Sequence, residues 1–190
     1  MGVRAYLGID PALRKTGLSL IIDDDGLLST RIMCSIPQKL LGPARLQYHR
    51  SRLQEFVKDF PALFTAIEGP SLYSVNRADD LGNLRGRLSM TMEDLGSPVL
   101  VVEPTVLKKF ATGNGGASKL RVKEAAIDMW NQDMTEDEAD ASWLAFIAYA
   151  YYTPEPLFGM RRVQLDVLRG IRTPKTKHAT VPMSRITTNI

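Results

Sequence analysis

Residues 7–34 read LGIDPALRKTGLSLIIDDDGLLSTRIMC. A short apolar run, Tyr6 to Ile9, ends on Asp10. The turn-like stretch DPALRKTG leads into a second apolar run, Leu18 to Ile22. Asp23, Asp24, Asp25 and Gly26 make a strong turn, and Leu27 to Cys34 reads as a third strand. Apolar runs joined by DDDG predict hairpin strands, so the chain is expected to open with a β-meander.

Working outward, residues 44–60 carry Leu46, Leu53, Phe56 and Val57 at helical spacing, with Arg45, Arg50, Arg52 and Lys58 between them. Pro61 ends that element. Leu63 to Ile67 reads as a buried strand that delivers Glu68 at its C-terminal end, before Gly69-Pro70. Residues 78–95 predict a second helix, with Leu81, Leu84, Leu88 and Met92 on one stripe and Gly82 and Gly86 four apart. Pro98 to Val102 predicts another strand, Thr105 to Phe110 a short helix, and residues 112–116 a flexible loop. Ser118 is the expected N-cap of a helix to Trp130. Thr135 and Glu138 form the pattern of a capping box for a last helix to about Tyr151, stopped by Pro154 and Pro156. The order β-β-β-α-β-α-β-α-α predicts an α/β fold whose mixed sheet combines hairpin and crossover strands.

At 190 residues the chain is long enough for one domain, or one domain and an appendage. Its 44% hydrophobic and 24% charged residues are those of an ordinary globular protein. Cys34 is the only cysteine, which excludes an internal disulfide and a Cys-rich zinc site and fits a reducing compartment. No apolar run approaches the ~20 residues of a membrane span. The N-terminal apolar stretch is short and meets Asp10, unlike a signal peptide. The expectation is a cytoplasmic protein with no membrane contact. The net charge of +3 is unevenly spread: from Thr153 onward seven bases face two acids, net +5, and the rest of the chain sums to −2. We read residues 153–190 as a basic C-terminal tail, weakly periodic, whose bases either contact phosphate or keep the chain in solution.

Four carboxylates carry the chemistry. Asp10 and Glu68 each end an apolar strand, where an unpaired charge is costly to bury. An Asp-Pro turn explains Asp10 equally well. Two strand-end acids say more than one, because neighbouring strand ends converge at one edge of a sheet. Asp137 and Asp140 share a helical face at i and i+3. Acids at a helix start are ordinary, and Glu136 and Glu138 are read that way. Asp140, however, faces inward ahead of the apolar run ASWLAFIAYAYY. Gathered together, four acids need divalent cations, and hard Mg²⁺ takes oxygen ligands. Two such ions ~3.5–4 Å apart clamp the attacking and leaving oxygens of a phosphodiester. The pattern points to metal-dependent phosphodiester hydrolysis.

Taken in order, four stretches resemble the RuvC family of Holliday-junction resolvases, which has an RNase H-like fold: LGIDPALRKTGLSLI, AIEGP, DLGNLRGRL and DEADASWLAFIAYA. The likeness runs from about Ala5 to Ala150. It implies an RNase H-like mixed five-stranded sheet, antiparallel in β1-β2-β3 and then parallel, flanked by helices. Residues 1–152 would be the nuclease domain. Asp10, Glu68, Asp137 and Asp140 fall on the family's metal-binding catalytic acids, which implies two Mg²⁺ ions per site, with Mn²⁺ as a substitute. Asp10 would bridge the ions, Glu68 and Asp140 would each hold one, and Asp137 would complete the set or act as a base. The stretch VVEPTVLKKFATGNGGASKLRV also resembles the family, and places Lys108 and Lys119 among DNA-contacting bases. Arg121 is expected to join them in holding phosphates, with a solvated surface charge as the plainer reading of each lysine.

The family often carries a base-stacking aromatic just after the catalytic Glu. Here the sequence is GPSLYSVNR, and Tyr73 is the candidate, with a place in the core as the alternative. The resemblance also implies a homodimer acting on branched DNA, chiefly four-way junctions, in the cytoplasm of a bacterium or a phage-infected host. Any helicase partner is unknown. The Gly82–Gly86 helix lies in the region that pairs the two copies. Competing readings are a broader fork- and flap-cutting nuclease of phage type, and a module that binds junctions without cutting. A sugar-kinase or actin-like ATPase would need two such lobes, and the chain has room for one.

Overall fold

The computed structural model describes residues 2–35, 39–70, 78–153 and 160–172. Three strands come first: β1 (Arg4–Asp10), β2 (Thr16–Asp24) and β3 (Leu27–Ser35), paired antiparallel in sequence order. Asp24 pairs with Leu27, so Asp25 and Gly26 alone make the turn. The Gly26 N–H donates to Asp23 Oδ1 at 2.8 Å, which closes it. Helix α1 (Gly42–Val57) leads to β4 (Ala62–Glu68), and α2 (Ala78–Asp94) leads to β5 (Val99–Val102). β4 lies parallel to β1, and β5 parallel to β4, so the sheet order is β3-β2-β1-β4-β5. This is the mixed five-stranded sheet that the resemblance implies. Helices α3 (Pro104–Thr112), α4 (Lys119–Trp130), α5 (Glu136–Tyr152) and α6 (Arg162–Arg172) follow.

The two-residue period of the strands divides the core. Leu7, Ile9, Leu20 and Ile67 pack on one face with Leu53 and Phe56 of α1 and Leu84 and Leu88 of α2. Tyr6, Phe64 and Ala66 pack on the other with Trp143, Leu144 and Ile147 of α5. The same alternation puts Asp10, two residues beyond Gly8, and Glu68, two beyond Ala66, on the α5 face. Helix α5 is apolar nearly all round, and every residue from Ala139 to Ala150 is buried. A helix of that kind belongs inside a layer rather than on a surface. The sheet lies on one side of it, α3 and α4 on the other.

Gly8 and Gly17 set the depth of that packing. A Cβ on Gly8 would overlap the Ala141 carbonyl oxygen and the Ala145 nitrogen. One on Gly17 would overlap the Asp137 carbonyl. Backbone therefore meets backbone where α5 crosses β1 and β2.

The capping pattern at Thr135 folds as expected. Its N–H donates to Glu138 Oε2 at 2.7 Å, and its hydroxyl accepts the Glu138 N–H at 3.4 Å. Ser118 caps α4 by accepting the Arg121 N–H at 3.3 Å. Helix α6 is the element that weak periodicity did not predict. Gln164, Val167 and Leu168 are buried on one side of it, and the other side is basic. Three buried side chains in eleven residues are too few to stand out in a segment rich in arginine. Among the described residues, no helix is long and apolar enough to cross a membrane.

Candidate active site

The parallel register pairs Ile9 with Ile67, so Asp10 and Glu68 follow as neighbours at the same ends of adjacent strands. α5 brings its first two turns over those ends. The result is a cavity of about 460 Å³ lined by Asp10, Glu68, Asp137, Asp140, Lys108 and Lys119, among others. The four acids come from three elements, β1, β4 and α5, and span 131 positions of sequence. Lys108 comes from α3 and Lys119 opens α4.

The acids raise one another's proton affinity. Burial, then the charges of Glu68 and Asp140, hold the Asp10 carboxyl well above the usual carboxylate range. Burial and Glu68 push Asp140 up to about 7. Burial also raises Glu68 and Asp137. Lys119 is the internal counter-charge: burial works against its ammonium, but the four acids, Asp10 foremost, hold it above its ordinary value. Asp10 and Glu68 stand side by side at the ends of β1 and β4. Neighbouring carboxylates disfavour each other's ionised form.

The donor set is oxygen alone, which suits a hard divalent cation. Among the described residues, no three acidic, histidine or cysteine side chains are grouped as a finished ligand set. The chemistry of the four acids fits a metal. All four line one cavity. Asp140 fixes the sign of the pH dependence. Its carboxyl goes from an ordinary 3.8 to about 7 on folding, so without divalent cations its contribution to stability is fully present below pH 3.8 and is lost as pH rises through about 7. The thermal midpoint of the metal-free chain is expected to fall over that window. Millimolar Mg²⁺ is expected to raise the midpoint at pH 8 and scarcely at pH 5. Melting curves at both pH values check this, and a Mg²⁺ effect equal at the two would refute it.

Three cationic neighbours are visible only in the structure. Arg14 lines the cavity, and Lys15 Nζ stands 3.9 Å from Asp137 Oδ2. Both sit in DPALRKTG directly after Asp10, and that position was the available signal. Arg85 of α2 donates from Nε to the Glu68 carbonyl oxygen at 2.8 Å and so ties α2 to the end of β4. It lies within DLGNLRGRL, a motif whose spacing alone assigns it no task. Arg121 does not line this cavity. It is exposed and pairs with Glu124 at 2.9 Å. Tyr73 lies outside the described residues.

The sequence model of the family described as crossover junction endodeoxyribonuclease RuvC matches residues 6–148. The crossover junction endodeoxyribonuclease RuvC of Chloroflexus aggregans is 28% identical over 156 residues, covering 78% of this chain and 93% of that protein. Its counterpart in Xanthomonas euvesicatoria pv. vesicatoria is 34% identical over 145 residues, covering 71% of this chain and 81% of its own. The structure of T. thermophilus RuvC in complex with a Holliday junction substrate superposes with a TM-score of 0.65 at 22% identity, over 77% of this chain and 94% of that one. The shared fold, together with a family match that spans β1 to α5, places the site acids inside the matched region. This chain belongs to the RuvC family of crossover junction endodeoxyribonucleases.

Proposed function

We propose that this chain is a metal-dependent, structure-selective endodeoxyribonuclease that resolves four-way DNA junctions by paired, symmetric nicks. The observation that carries the reading is the convergence of Asp10, Glu68, Asp137 and Asp140 with Lys108 and Lys119 on one cavity in a member of this family. Asp10, Glu68, Asp137 and Asp140 would hold two Mg²⁺ ions, or Mn²⁺ in their place. When bound, the ions supply charge neutralisation and Lewis acidity for in-line hydrolysis of a phosphodiester, leaving 5′-phosphate and 3′-hydroxyl ends.

The chain's own residues do the rest. Asp10 is central, between Glu68 on the neighbouring strand and Asp140 on α5. Lys108 and Lys119 hold the phosphates that an acidic cavity would otherwise repel. Lys15 faces Asp137 and Arg85 anchors the strand end that carries Glu68. Arg121 and Tyr73 are further DNA contacts in this reading, Arg121 outside the cavity. Recognition rests on backbone shape more than on base edges. Residues 1–152 serve as the nuclease domain and 153–190 as a basic extension, whose Lys175, Lys177 and Arg185 lie outside the described residues.

Two symmetric cuts call for two symmetric sites, and a two-fold homodimer supplies them. Among the described residues, nothing packs within 4 Å of where a Cβ of Gly82 or Gly86 would stand. Both line an open groove with Pro43, Leu46 and Met90, a surface suited to close helix approach by a second copy. The cytoplasm, where DNA and Mg²⁺ meet, is the setting.

The test is cleavage of a synthetic four-way junction with Mg²⁺, alongside linear duplex, flap and fork. Paired symmetric nicks confined to the junction are expected. Cutting of every branched form would replace the reading with a general debranching nuclease. Tight binding with no cutting would replace it with a binding module.

A further inference from the structure

We infer that Arg161 is a positioning residue for Lys108 and Lys119, and that α6 clasps the α3–α4 connection instead of contacting phosphate. The inference rests on the nuclease reading of the cavity. α3 ends at Thr112 and α4 begins at Lys119. Lys108 stands one turn before the first boundary, and Lys119 is the second boundary itself. Both cavity lysines therefore depend on one short connection.

The bonds inside that connection are local. The Gly113 N–H donates to the Lys109 carbonyl at 2.8 Å, and the Gly116 N–H donates to Asn114 Oδ1 at 2.9 Å. They fix its shape, while buried Ala117 is its one apolar contact with the core. Arg161 supplies a link from outside. Its Nη2 donates to the carbonyl oxygens of Phe110 at 3.1 Å and Ala111 at 2.6 Å. These are among the last carbonyls of α3, which have no partner within the helix. A guanidinium also suits the negative end of a helix.

Arg161 is itself held. Its N–H donates to Oε1 of buried Gln164 at 2.9 Å, and Val167 and Leu168 seat α6 in the core. At the far end, Arg172 Nη2 donates to the carbonyls of Ala150 at 3.0 Å and Tyr151 at 2.6 Å, at the end of α5, and to Thr153 at 3.2 Å. Its guanidinium lies 5.5 Å from the centre of the Tyr151 ring. Arg169 pairs with Asp166 at 3.2 Å. Three of the four arginines in the described part of the basic segment thus bond to protein groups. Guanidinium donors turned toward helix carbonyls are turned away from phosphate.

A thermodynamic cycle tests this. Arg161→Met and Arg161→Lys are made in the full chain, with and without Lys108→Ala/Lys119→Ala. All carry Asp10→Asn so that a fluorescent four-way junction is bound and not cut. Arg161→Met is expected to weaken binding about tenfold when both lysines are present. Its effect should shrink to less than about twofold when they are gone, because it acts through them. Arg161→Lys keeps a cationic donor, guards against a variant that fails to fold, and should recover most of the affinity. Amide exchange at Gly113 and Ala117 should quicken in Arg161→Met. A loss that persists in the lysine-free background would overturn the role and make Arg161 a DNA contact. Unchanged binding with the lysines present would overturn it too. If the parent with both lysines and Arg161 intact binds no junction, the nuclease reading falls and takes this role with it, a failure seen before Arg161 is touched.

Discussion

Asp10→Asn is expected to abolish junction cleavage, by ~10³-fold or more, while junction binding persists. Asp10 ends β1 almost wholly buried, next to Glu68 and within the field of Asp140. The charges of the other three acids all raise its proton affinity. Asparagine keeps its shape and removes one negative charge from the place where a cation must be held. The amide also removes a like charge that faces Glu68 and Asp140. The variant should therefore fold at least as well as wild type, with a thermal midpoint in metal-free buffer at pH 8 higher by about 5 °C. The Mg²⁺-induced rise in midpoint should shrink at the same time. Cleavage assays and melting curves on one preparation read both. Retained cutting would remove Asp10 from the site. Lost cutting with a lowered midpoint would make it a folding residue instead.

Gly8→Ala carries the second large effect. It is expected to cost about 3 kcal/mol or more of stability and to lower the midpoint by ~10 °C. The added methyl would overlap the Ala141 carbonyl and the Ala145 nitrogen, and neither belongs to a side chain that can swing away. α5 would have to lift from the sheet, and with it Asp137 and Asp140 would leave Asp10. Activity of the folded fraction should fall as well, because the carboxylates are held in register by that contact. Chemical denaturation and cleavage measured per folded molecule separate the two losses. Gly170→Ala on α6 is the control, since its Cβ would meet nothing within 4 Å among the described residues. Alanine at Gly8 without a change in stability would refute this account of how α5 is seated.

Much of this molecule was legible from local pattern. The DDDG turn, the apolar runs and the Thr135–Glu138 capping box each depend on residues within a few positions of one another, and each folds where the pattern places it. The capping box also separates the acids at the start of α5. Glu138 bonds to the Thr135 backbone, while Asp137 and Asp140 turn to the cavity. Strand ends and period-two alternation point Asp10 and Glu68 the same way. Other features were not legible. Arg85 reaches Glu68 through a backbone carbonyl, a partner with no signature in composition. Arg14 and Lys15 look like loop charges until the loop folds over the site. α6 is held by Val167 and Leu168 in the core and by two arginines that reach the ends of other helices, partners far off in sequence.

Element type, strand order in the opening meander and the chemical kind of the site follow from the chain's local code, because hydrogen-bonding turns, caps and hydrophobic period act over three or four residues. The closeness of Asp10 and Glu68, the rise of the Asp140 carboxyl to about 7 and the gathering of Lys108 and Lys119 around them do not. They depend on how closely α5 can approach β1 and β2, and on a clasp from the far end of the described chain. Charges interact through distance in space, and Gly8 and Gly17 make that distance short only once the helix has been laid across them.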